Sequence, residues 1–140
     1  MNKRLLSDML KIAKEYLPRH PQFHYYPVYS FIIQDNAIVE WSTNAAGDPS
    51  GPLKAMYEAR VAHLDGRPKI HAEVRAYAKA RGKLQRDKSF EVANIRLNRK
   101  GEIRMSAPCK CCNCFLKTLG ATKAHFTTDY GWAKMDLDKP

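Results

Sequence analysis

All four cysteines of this chain, Cys109, Cys111, Cys112 and Cys114, fall within six residues of one another, so no disulfide can cross-link distant parts of the fold. A chain built this way has to hold itself together with an apolar core. With 140 residues and 44% hydrophobic content it can do so as one compact domain spanning residues 1–140. The clustered thiols then point to metal or redox chemistry rather than to stapling.

The start MNKRLLSDML lacks the apolar stretch and cleavage site of a secretory signal, and no run of about 18 apolar residues suggests a membrane span. A cytoplasmic protein with no membrane partner is expected. The formal charge of +10, from 24 Lys and Arg against 14 Asp and Glu, biases the choice of partner toward anions such as nucleotides or nucleic acid.

Apolar residues Leu5, Leu6, Met9, Leu10, Ala13, Tyr16 and Leu17 recur at helical spacing and predict an amphipathic first helix that stops near Pro18. HPQFHYYP, residues 20–27, reads as a loop. Residues 28–34 and 37–43 are rich in β-branched and aromatic side chains and flank Asp35-Asn36, the pattern of a β-hairpin. Residues 44–53 are rich in Gly, Pro and Asn and read as irregular chain, followed by a short helix over 56–63.

From Ile70, HAEVRAYAKARG predicts a helix with His71 and Glu73 in its first turn and a stop at Gly82. Residues 90–97 read as a buried strand, Asn98-Arg99-Lys100-Gly101 as a turn, and 102–105 as a short extended piece. Pro108 opens a helix that carries the cysteines and ends at Gly120. A last strand is expected over 124–128, and AKMDLDKP reads as a loose tail.

Two short motifs carry the chemistry. His71-Ala72-Glu73 and Pro108-Cys109-Lys110-Cys111-Cys112 together match H-x-E…P-C-x-x-C, the signature of the zinc nucleobase deaminases, with each half at a predicted helix start. One imidazole and two thiolates leave the fourth tetrahedral position of zinc open for water. Glu73, two residues beyond the His, is close enough to move protons without binding the metal. Cysteines at a helix N-terminus also gain from its dipole, which favours the thiolate.

On these residues the chain resembles the cytidine deaminase-like superfamily, with deoxycytidylate deaminases and related phage or viral proteins the nearest in character. The resemblance runs over roughly residues 28–128 in order of elements. It implies an α/β fold, a three-layer α-β-α sandwich around a mixed five-stranded sheet, with Zn2+ held by His71, Cys109 and Cys112 between two helix starts and Glu73 as the catalytic proton carrier. The implied activity is hydrolysis of a cytosine base to uracil in a free nucleotide or nucleoside. A viral member would work in the host cytoplasm.

Other readings stay open. Cytosine or adenine in single-stranded DNA, RNA or tRNA is a second class of substrate. A non-catalytic zinc-stabilised binding module is a third reading, although such a module has no need of Glu73. Cys109, Cys112 and Cys114 with His71 would close a structural Cys₃His sphere, but Cys114 is turned about 140° from Cys109 around a helix of 3.6 residues per turn. Cys111 with Cys114 is a competing C-x-x-C pair.

For the substrate, the resemblance implies sugar contacts from Asn44, which otherwise simply ends its strand; Thr43 is the neighbouring alternative. Ala72, between His71 and Glu73, is a further contact. Tyr130, within TTDYGW, is a candidate to stack on the base, or else caps the core with Trp132. His24, Tyr25 and Tyr26 form another candidate wall. Lys54, Arg60, Arg67 and Lys69 offer cations to a phosphate, Ser106 and Ala107 offer backbone groups to the exocyclic amine, and a homo-oligomer is implied by the family habit.

Overall fold

The computed structural model describes residues 3–19, 27–43, 72–108 and 110–137, with the backbone alone at positions 19, 110–112 and 114. Within them lie helix α1 (Lys3–Tyr16), a 3-10 turn (Leu17–Arg19), strands β1 (Val28–Gln34) and β2 (Ala37–Thr43), helix α2 (Ala72–Ala80), strands β3 (Phe90–Leu97) and β4 (Ile103–Arg104), helix α3 (Lys110–Thr118), and strands β5 (Ala121–Thr128) and β6 (Gly131–Asp136). The helix expected over 56–63 and the loop 20–26 lie outside the described residues.

Five strands stand side by side in the order β2-β1-β3-β5-β6, and the short β4 pairs with β3 off that path. β1 is antiparallel to both β2 and β3, β3 is parallel to β5, and β5 is antiparallel to β6, so the sheet is mixed. The β1–β2 turn is closed by Asp35 and Asn36 at φ 54° and 57°, the left-handed region that Asp and Asn tolerate and a tight hairpin needs.

Alternation along the strands sorts side chains to two faces. Tyr29, Phe31, Ile33, Ala93, Ile95 and Leu97 pack against Leu5, Met9 and Ala13 of α1. On the other face Ile32, Val92 and Ala124 pack against Ala76 and Ala80 of α2 and Leu116 of α3. Helices therefore cover both faces of the sheet, the layering expected of an α/β chain.

The C-terminal segment corrects the sequence reading. In place of a loose tail after a strand over 124–128, β5 begins three residues earlier at Ala121, and β6 pairs along it from Thr128↔Gly131 to Lys123↔Asp136. Met135 and Leu137 from this segment pack with the α2 and α3 face, and Trp132 packs on the α1 side. Burial of these alternating apolar residues holds the segment in the sheet.

Candidate functional site

Strand directions determine where the two helices begin. β2 and β3 both run antiparallel to β1, so α2, which links them, and α3, which links the parallel β3 and β5, run back along the same face in the same direction. Both helices thus start toward the carboxyl ends of β2, β3 and β5, where α/β sheets tend to place their sites. Each has nine residues, about 13.5 Å at 1.5 Å rise.

Aromatic rings set their level along the sheet. Tyr77 of α2 stacks on Phe90 at the start of β3, with ring centroids 5.7 Å apart and planes at 4°, and meets Phe115 of α3 edge-on at 6.2 Å. Glu73, four residues before Tyr77 on the same side of α2, therefore sits about 6 Å nearer the carboxyl end of β3. Position 112 lies three residues before Phe115, one turn nearer the start of α3.

Glu73 falls in the first turn of α2 and is buried, at 4% exposure, with Ala72 beside it at 1%. A carboxylate is favoured there by the dipole of the helix N-terminus. At the level of the helix starts, the sheet surface changes from apolar to polar. On β1 and β3 the row beyond Ile32 and Val92 is Ser30 and Asn94, with Ser42 opposite Ser30 on β2. All three are buried. Ser30 Oγ donates to Asn94 Oδ1 at 2.7 Å, whereas Ser42 Oγ has no hydrogen-bond partner among the described residues.

The chain entering α3 is pinned to this floor. Past Asn94 the ladder between β3 and β5 ends, and the 104–106 segment continues beside Thr127. Asn94 Nδ2 donates to the Ser106 carbonyl at 3.1 Å, and Ser106 Oγ donates to the Asn94 carbonyl at 2.9 Å. Ser106 N–H donates to the Thr127 carbonyl and Thr127 N–H to Ser106 Oγ, both at 2.9 Å. Thr127 Oγ1 in turn donates to the Arg104 carbonyl at 2.7 Å. Sequence reading assigned Ser106 only its backbone; the buried side-chain network has no signature in spacing.

Several expected site residues lie outside the described residues: His71, which directly precedes α2, Cys109, which directly precedes α3, and Asn44, which follows β2. So do His24, Tyr25, Tyr26, Lys54, Arg60, Arg67 and Lys69. Cys112 is the third residue of α3. Among the described residues, which leave out His71 and Cys109, no three His, Cys, Asp or Glu side chains cluster closely enough to hold a metal.

Thr43 is buried at the end of β2. Tyr130 is wholly exposed in the β5–β6 turn, and Trp132 packs against the α1-side core, so the two aromatics do not form one wall. An open polar cavity of about 510 Å³, lined by Gln34, Asp35, Lys88, Glu91 and Lys123 among others, lies at the opposite end of the sheet, where β3 and β5 begin.

An imidazole and two thiolates are donor types that zinc takes, and the sequence supplies them at His71, Cys109 and Cys112. Buried Glu73 in the first turn of α2 and a polar floor with Ser42 Oγ, which has no hydrogen-bond partner among the described residues, lie at the end of the sheet where both helices start. No protein-family model matches the chain, and no curated protein matches it in sequence. Among the described residues no helix is long and apolar enough to cross a membrane.

Proposed function

We propose that this protein is a zinc-dependent hydrolytic deaminase of the cytidine deaminase-like superfamily, acting on the cytosine base of a free nucleotide or nucleoside. The observation that carries the reading is that two helices start at the same end of one sheet face, one with buried Glu73 in its first turn and the other beginning within the P-C-x-x-C motif. His71, Cys109 and Cys112 are the residues that hold the zinc. The metal, when bound, supplies water of lowered pKa, about 7, at neutral pH.

The chain's own residues do the rest. Deamination adds the oxygen of water at C4 of the ring and breaks the C4–N bond, giving uracil and ammonia. Glu73 takes a proton from the water and delivers it to the ring nitrogen, then takes the second proton from the new C4 hydroxyl and gives it to the departing amine as the C4–N bond breaks. The polar row of Ser42, Ser30 and Asn94 gives the site end of the sheet a hydrogen-bonding floor in place of an apolar one. Asn44 and Ala72 remain the proposed contacts to substrate.

A second reading, deamination within a single-stranded nucleic acid, is favoured by the full exposure of Tyr130 at the carboxyl end of β5 and by the +10 charge. An exposed ring at that end is free to stack on a neighbouring base. One assay separates these readings: released ammonia from cytidine, deoxycytidine, their monophosphates, adenosine and a short single strand, at low and high salt. Activity on a strand falls steeply with salt because counterion release drives binding, and activity on a mononucleotide falls far less. A zinc-loaded protein that deaminates none of them is a binding module instead.

A further inference from the structure

Asn94 is the residue at which the α2 and α3 face of β3 turns from apolar to polar. Phe90 and Val92 precede it on the α2 and α3 face of β3, both in the core, and a third apolar side chain there would bury as well. What Asn94 adds is direction. Its Oδ1 accepts from Ser30 Oγ, which orients the amide so that Nδ2 donates to the Ser106 carbonyl.

Ser106 is saturated in the same way. Its single hydroxyl proton goes to the Asn94 carbonyl, its oxygen accepts from Thr127 N–H, and its own N–H reaches the Thr127 carbonyl. Thr127 Oγ1, 2.9 Å from Ser106 Oγ, donates to the Arg104 carbonyl and accepts from Arg96 N–H. A segment outside regular structure, residues 105–108, is thereby locked to β3 and β5 by bonds that apolar contact could not direct.

Only Ala107 and Pro108 separate this anchor from Cys109. Proline holds its φ near −65° and Pro108 is itself buried, so the backbone from the anchored Ser106 to Pro108, the residue before Cys109 in sequence, has little freedom. We infer that Asn94 and Ser106 are positioning residues for the metal centre: together they set where Cys109 stands relative to α2, which Tyr77 and Phe115 align from the other end. The inference rests on the zinc reading above and goes beyond it in naming what holds the thiolate ligand in place.

The test is metal affinity in the full chain, independent of turnover. Apo-protein is titrated with Co2+, whose thiolate charge-transfer absorption reports ligation by cysteine, and the cobalt is then displaced by Zn2+ against a competing chelator. Ser106→Ala and Asn94→Ala are expected to weaken zinc binding by roughly tenfold or more, the scale seen when outer partners of metal ligands are removed. Ile33→Val is the control. It trims a buried side chain of the α1-side core at the far end of β1 and lowers thermal stability, yet it touches neither Asn94 nor Ser106 and should keep zinc affinity within about twofold of wild type.

If Ser106→Ala binds zinc as wild type does, or if affinity falls in all three variants in step with their melting temperatures, the two residues are merely structural and the inference is overturned. Should Asn94→Ala not fold, Ser106→Ala against Ile33→Val decides alone. A wild-type protein that takes up neither metal overturns the zinc reading itself, a different outcome from tight binding unaffected by the substitutions.

Discussion

Tyr77 of α2 meets Phe115 of α3 edge-to-face, with ring centroids 6.2 Å apart and planes at 74°. This contact joins the two helices of the candidate site directly, and it lies one turn in from Glu73 on one helix and from position 112 on the other. Phe115 is fully buried, so Phe115→Ala should cost about 3–5 kcal/mol of stability through lost burial and the cavity left behind. Urea denaturation should show a lower midpoint at unchanged slope. Tyr77→Phe keeps both ring contacts and should leave the midpoint close to wild type.

The metal reading makes a separate demand on the four cysteines. One zinc per chain is expected, and the double substitution of Cys111 and Cys114 by serine should leave that content intact, because neither belongs to the proposed ligand set. Cys109→Ser should lose it. Elemental analysis of the two variants decides the register, and zinc retained by Cys109→Ser but lost from the double variant would assign the metal to Cys111 and Cys114.

On the opposite face, Tyr29 gives the fold an alkaline limit. Burial, and to a lesser degree neighbouring Tyr16, pushes its phenol above the ordinary value near 10. In the unfolded chain the phenol releases its proton near pH 10, while the folded chain still holds it. The stability linked to this proton is therefore fully present below about pH 10 and is lost as pH rises toward the raised folded value. Tyr29→Phe should flatten the decline in the denaturation midpoint between about pH 9 and 11, and an unchanged decline would assign it to other groups.

Much of the frame was legible because its signals are local. Asp35-Asn36 between two β-branched runs fixed the β1–β2 hairpin, since the tight turn needs the positive φ that these residues adopt. Gly120, at φ 106°, ends the helix that Pro108 introduces. β6 was missed although its signal was present: from Ala133 to Leu137 apolar and charged residues alternate strictly, within the AKMDLDKP segment read as a loose tail. Its strand character comes from pairing with β5 and from the burial of Met135 and Leu137.

The candidate site divides along the same line. Glu73 in a first helical turn follows from helix-forming residues on one side and irregular chain on the other. The Ser30, Asn94, Ser106 and Thr127 network joins residues up to 97 positions apart in sequence, Ser30 to Thr127, and no local pattern can announce such contacts. Ser30, Ser42 and Asn94 fall inside segments whose β-branched and aromatic content predicts strands, and only the pairing of those strands puts the three together at the end of the sheet where both helices start.

Glu73→Gln is the substitution that bears most directly on the chemistry. The amide is nearly isosteric with the carboxylate and suits the same buried place at the start of α2, so fold and melting temperature should change little. Zinc content should be unchanged as well, because Glu73 is not among the proposed ligands. What the amide cannot do is accept the proton of the attacking water. Loss of a positioned proton carrier typically lowers rates by on the order of 10²–10⁴-fold, so ammonia release from the best substrate of the panel should fall by at least about 10²-fold. Folding, metal content and turnover are read on the same preparation. A variant that keeps its zinc and its rate would remove Glu73 from the mechanism, while a variant that loses zinc would show the carboxylate to be part of the metal's own shell.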